Sequence, residues 1–153
     1  MSNNKLKFFI PVFITIIIMY LLVYLDVWLR ARSSYLEAEK YLYWYEHPEA
    51  KISALKEKYE REKKKLDKKL SEMKISREDY DREIEILNFN QQREMEESSI
   101  KYAYIWFQTT VELFSPPESK WVKLARKKMP LAKSLWQKEL ESKGIKVEHY
   151  MLE

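Results

Sequence analysis

His47 and His149 are the chain's two imidazoles, and they stand 102 positions apart. A metal or haem site needs ligands that converge. Neither histidine falls in the long apolar run near the N-terminus, which excludes a bis-histidine haem held within that run. His47 sits between Glu46 and Glu49 and reads as a helix-end residue rather than a metal ligand. Carboxylates are abundant but come in runs suited to solvated faces. No acid is set beside a base in apolar surroundings, where perturbed catalytic groups arise. Asp26 is followed four positions on by Arg30, the spacing of an interfacial ion pair, and this reading is preferred to a proton-path role. The chain has no cysteine, so a thiol nucleophile, a thiolate metal site and a disulfide are all excluded. Glycine-rich phosphate loops, HExxH and GxSxG are absent as well. The expectation is a protein that is not an enzyme, with no catalytic, cofactor-binding or metal residues and no cofactor.

The elements that carry these residues are helices. One glycine in 153 residues leaves no supply of positive-φ positions for turn-rich β folds or for dinucleotide-binding loops. An aromatic content of 14% is too high for a disordered tail. The net charge of +4 gives no case for nucleic acid.

From Phe8 to Leu25 the sequence FFIPVFITIIIMYLLVYL is uncharged. With its continuation to Leu29 it makes about 22 residues, roughly 33 Å of helix, which spans a bilayer. Lys5 and Lys7 precede it, Arg30 and Arg32 close it, and Tyr20, Tyr24 and Trp28 sit toward its second end as interfacial aromatics do. A buried core helix is the bland alternative, but so polar a chain offers little to bury it. A cleaved signal peptide is the sharper one, because Ala31-Arg32-Ser33 is a small-x-small pattern. The apolar run exceeds a usual signal core, which favours an uncleaved signal anchor. Basic residues flank both ends almost equally, so the expected orientation rests on the short tail staying inside and sends residues 30–153 to the trans side. The membrane expected is a bacterial or organellar inner membrane.

Domain by domain, a short tail (1–7) and the transmembrane helix (8–29) lead into an aromatic helical stalk (30–47), which Pro48 ends. Residues 49–114 read as a charged helical hairpin ending in an aromatic segment. Ile52, Leu55, Tyr59, Leu66, Leu70 and Met73 form a narrow seam with partial coiled-coil heptads, broken by Glu62 and Lys69. Ser76 offers an N-cap with Asp79 three residues on. Lys51 to Lys74 holds ten basic and five acidic residues, Ser76 to Glu97 three basic and eight acidic. Opposite blocks favour antiparallel packing over parallel self-association, so a homo-oligomer is possible but not favoured. In outline, Leu66 to Leu87 resembles the short two-helix module at the C-termini of many bacterial membrane proteins. It lacks that module's turn glycine, and no residue role is carried over.

The stretch IKYAYIWFQTTVELF (100–114) is apolar on more than one side, too short for a second crossing, and interrupted by Gln108, Thr109, Thr110 and Glu112. As the end of the second hairpin arm it is expected to return beside residues 35–47. It then forms an internal core, docks a partner, or does both. The partner-binding candidates are Tyr41, Trp44, Tyr45, Tyr104, Trp106, Phe107 and Phe114. Beyond Pro116-Pro117, with Ser115 as N-cap, residues 117–143 form a basic amphipathic helix that Pro130 kinks or splits and Gly144 caps. Such a helix either packs on the hairpin or lies on anionic headgroups, with Trp121, Trp136, Lys127 and Lys128 as lipid-headgroup or partner contacts. The tail 144–153 is expected to be extended.

The sequence therefore predicts an all-α, single-pass membrane protein that works by protein-protein interaction, as an accessory or assembly subunit of a larger integral-membrane complex. A respiratory or other energy-transducing complex is the leading expectation. The alternative is a membrane-anchored, coiled-coil-like scaffold or tether in a cell-division or secretion machine.

Overall fold

A computed structural model describes residues 3–145, with side chains from Phe9 onward. The described residues are helical with short connections and contain no strand: α1 (Asn3–Glu46), α2 (Pro48–Ser71), α3 (Arg77–Glu96), α4 (Ser99–Leu113) and α5 (Lys120–Ser142). The tail expected beyond Gly144 falls, from residue 146 on, outside the described residues, as does His149.

α1 continues without a break from the apolar run into the expected stalk. Pro48 stops it, because the residue before a proline is driven out of the α region, and His47 has φ −130° and ψ 76°. Pro48 then opens α2 at a position where its missing N–H is not needed.

The chain divides into two compact units. The first takes α1 as far as Lys40 and the chain from Lys101 onward, and its core is a three-helix seam. α1 contributes Ala31, Ser34, Tyr35 and Ala38, α4 contributes Ala103, Tyr104, Phe107 and Thr110, and α5 contributes Val122, Ala125 and Ala132. The spacings of three, four and seven put each set on one helix face. Small residues recur on all three helices, letting the backbones approach, and Phe107 and Tyr35 fill the space left. Their rings lie 5.8 Å apart.

Helix directions follow from paired contacts. Trp121 meets Trp28 and Tyr35, whereas Lys128 meets Glu39, so α5 runs with α1. Trp136, near the end of α5, meets Tyr104, near the start of α4, so α4 runs opposite to both.

The second unit runs from Tyr41 to Ile100 and is built on α2 and α3. Tyr80 donates a 2.6 Å hydrogen bond to Asp67 near the connection, and Lys58 pairs with Glu94 at 2.7 Å further out, so the two helices run in opposite directions. Their seam is Leu55, Tyr59, Glu62, Leu66 and Leu70 against Tyr80, Ile84, Leu87, Gln91 and Glu94, buried at Leu55 and half-buried elsewhere. Ile52 and Met73, assigned to the seam from sequence, are exposed instead. Leu55 starts a spacing of four, three, four and four that turns both of them outward. Lys58–Glu94 joins α2 to α3, while pairs such as Lys65–Glu62 and Arg82–Asp79 run within one helix.

Both ends of the α2–α3 connection are capped. Ser76 accepts from the Asp79 amide at 3.0 Å, and its hydroxyl donates to the Asp79 carboxylate at 2.7 Å. α2 closes with a paired motif in which Lys74 N–H reaches Lys69 C=O and Met73 N–H reaches Leu70 C=O. The same pattern closes α5, from Ile145 to Leu140 and from Gly144 to Glu141. The motif needs positive φ at its penultimate position; Gly144 supplies it at 74°, whereas α2 forces Met73 to 55°.

Two sequence expectations change. The second arm does not run unbroken from Ser76 to Phe114, because Glu97 adopts φ −65° and ψ 139° and α4 starts afresh at Ser99. Paired serines favour such a break, since their hydroxyls compete for backbone hydrogen bonds. Lys51 stabilises the end of α3 by donating to the carbonyls of Met95 and Glu97 at 3.0 and 2.6 Å. The N-cap of the last helix is Ser119, not Ser115; it accepts from Val122 N–H at 3.3 Å. Two consecutive prolines explain the delay, because each disfavours helix at the residue before it. Pro130 lies inside α5 without splitting it.

Candidate functional site

α4 meets α1 at Ser34 and Tyr35, and a buried hydroxyl pair marks the contact. Ser34 Oγ lies 3.2 Å from the Trp106 carbonyl, and Thr110 Oγ1 lies 2.8 Å from both Ser34 Oγ and that carbonyl. Each hydroxyl has one proton, so at any moment one donates to its neighbour while the other reaches the carbonyl, and both groups stay satisfied. Sequence reasoning passed over Ser34, Ala31 and Ala38 for the bulky aromatics nearby. Their spacing of three and four was the signal, since small side chains at that interval form a seam that two helices can share closely.

Tyr104 and Phe107, expected as partner contacts, lie inside this core, Phe107 with 0% exposure. Trp106 and Phe114 are half-buried. Tyr41, Trp44 and Tyr45 belong to the other unit. There the rings of Tyr41 and Trp44 meet edge to face at 5.3 Å, and Tyr45 is exposed.

Of the lipid-contact candidates on α5, Trp121, Trp136 and Lys128 meet neighbouring helices. Trp136 stacks at 5.6 Å on Tyr104. Trp121 lies 6.2 Å from Trp28 and 5.6 Å from Tyr35. Its ring also faces two cations, Arg32 at 5.9 Å and Lys120 at 4.4 Å. The Trp121 N–H is enclosed and has no acceptor among the described residues, so ring contacts rather than a hydrogen bond hold the indole. Lys128 grips both oxygens of Glu39, at 2.7 and 2.6 Å, and Lys127 is exposed. Both tryptophans thus meet neighbouring helices, and α5 stands alongside α1 because its apolar stripe matches the α1–α4 seam.

The Glu39–Lys128 pair lies beside Tyr35. Burial pulls the Lys128 ammonium down, but the hydrogen bond and charge of Glu39 outweigh it and raise the pKa above the ordinary 10.5. Burial and the facing Glu39 carboxylate likewise raise the Tyr35 phenol above 10.0. Both shifts lie in the alkaline range and leave the groups in their usual forms near neutrality. No group of three or more His, Asp or Glu among the described residues is placed to hold a metal ion.

α1 is long and apolar enough to cross a membrane, and its most apolar stretch is wholly unburied by the rest of the chain. The fold thus defines an all-helical protein with one candidate transmembrane helix. No family model, curated protein or solved structure matches the chain.

Proposed function

We propose that this chain is a non-catalytic, single-span subunit that assembles or stabilises a larger integral-membrane complex, of respiratory or other energy-transducing type. The observation that carries the reading is a stripe along α1. Leu29, Leu36 and Tyr43 recur at intervals of seven, and they are 47%, 45% and 53% exposed. By helix geometry the stripe lies opposite the seam of Ala31, Ser34, Tyr35 and Ala38. It extends the apolar surface of the span outward along a helix whose other face is already occupied. Lipid can cover the span, but Leu36 and Tyr43 lie roughly 10 and 21 Å beyond Leu29 along the axis, where water would meet them. A partner helix leaving the bilayer in parallel covers both parts at once. The orientation proposed places the region beyond the span on the trans side.

Tagged chain is extracted from its native membrane in mild detergent and sized on a native gel, and the co-migrating proteins are identified by mass spectrometry. The expected result is stoichiometric migration with a large integral-membrane assembly, lost in the Leu36→Ser, Tyr43→Ser double variant. A discrete small homo-oligomer without a partner overturns the reading and favours the scaffold.

A further inference from the structure

The corner between α4 and α5 lies at the level where the apolar run of α1 ends. Trp28, in the last turn of that run, touches Trp121, which follows the start of α5. On α4, Thr110 meets Ser34, and because α4 runs opposite to α1, Leu113 falls roughly 4.5 Å nearer the span. Leu113 is 70% exposed, and half-buried Phe114 follows it. An exposed leucine beside the mouth of an apolar helix suits an acyl boundary better than water.

The charges at this corner favour an anionic surface. Arg32 and Lys120 come from different helices, both are exposed, and both approach the Trp121 ring. Among the described residues neither has a carboxylate at ion-pair distance, whereas the acids around them are engaged. Asp26 pairs with Arg30 at 2.8 Å and Glu118 with Arg126, while Glu112 accepts from the neutral Gln108 amide at 2.8 Å and keeps its charge. Two cations without a carboxylate partner, both within 6 Å of one tryptophan ring at the exit of a span, match the chemistry of a phospholipid phosphate.

We propose that the α4–α5 corner sits in the headgroup layer, with Leu113 at the acyl boundary and Arg32 and Lys120 holding the phosphate of an anionic phospholipid beside Trp121. This rests on α1 crossing the membrane and not on the identity of any partner. It fixes how the three-helix unit stands: α4 and α5 rise from the bilayer along α1 instead of lying on it.

The chain has no cysteine, so single-cysteine variants carry a fluorophore at one chosen position. The full chain, as Leu113→Cys or as Ser142→Cys, is reconstituted into phosphatidylcholine vesicles with brominated acyl chains. Position 142 lies roughly 32 Å beyond Trp121 along α5. The probe at 113 is expected to be quenched and that at 142 not. Native mass spectrometry of the chain from bilayers containing phosphatidylglycerol is expected to retain the anionic lipid. In Arg32→Gln, Lys120→Gln, both exposed, retention drops on the order of tenfold. Carbonate extraction separates the two failures: a chain that leaves the membrane refutes the span itself. An integral chain with an unquenched 113 probe, or with no preference for anionic lipid, refutes the corner. Equal displacement of the lipid by inorganic phosphate also overturns the proposal, because the site would then be one for free anions.

Discussion

Replacing Phe107 with Ala tests whether the aromatic segment of α4 is core or docking surface. Phe107 is fully buried and its ring lies 5.8 Å from Tyr35 at an interplanar angle of 54°. Truncating a buried phenylalanine costs about 3–5 kcal/mol, combining lost transfer energy with the cavity left behind. The seam has little that could relax into the gap, since Ala31, Ser34, Ala38 and Ala103 are short. Loss of the tilted aromatic pair adds to the cost, so about 4–5 kcal/mol is expected, a large part of a typical domain's stability. The assay is urea unfolding of the full chain in mild detergent, followed by tryptophan emission with Trp106 and Trp121 as reporters. Phe107→Leu should retain most of the stability, and Leu113→Ala, at an exposed site, should change it by less than about 0.5 kcal/mol. A Phe107→Ala midpoint equal to wild type, together with loss of co-migrating partners, refutes the core assignment and returns this ring to an interface.

Two further outcomes follow from local geometry. Met73→Gly relieves the left-handed strain at φ 55° on a side chain 93% exposed, and about 0.5–1 kcal/mol of added stability in the α2–α3 unit is expected from thermal melts. Gly144→Ala does the reverse at φ 74°; with nothing near its added methyl the cost is purely backbone, read as faster amide exchange in the last turn of α5. At alkaline pH the three-helix unit weakens. Lys128 and Tyr35 have folded pKa values raised above 10.5 and 10.0, so their contribution is fully present below those values and lost as pH rises through the folded ones. Urea midpoints between pH 8 and 11 should fall at the upper end, and Lys128→Met should remove the Lys128 part of that fall.

Much of this was legible in the sequence because it depends on neighbours in the chain. One glycine, an uncharged run from Phe8 to Leu25, Pro48 after His47 and the Ser76–Asp79 cap each act within a turn or two of helix, where backbone geometry leaves few choices. The same locality let Gly144 be read as the cap of α5, which its φ of 74° and the paired hydrogen bonds bear out. Met73 could not be read in this way, since nothing in its side chain signals a left-handed backbone. It holds that position as the left-handed residue of the paired hydrogen bonds that end α2.

What the sequence alone determined is therefore the all-helical class, the candidate membrane helix and most helix ends, all set by local propensity and by the length of an apolar run. Only the tertiary structure decided which apolar faces were already taken. It drew Tyr104 and Phe107 into one core, set Trp121 and Trp136 half-buried against it, and left the Leu29, Leu36 and Tyr43 stripe outside. An aromatic side chain has the same composition buried or exposed. What separates the two is a seam of small residues, Ala31, Ser34 and Ala38, whose effect exists only once another helix lies against them.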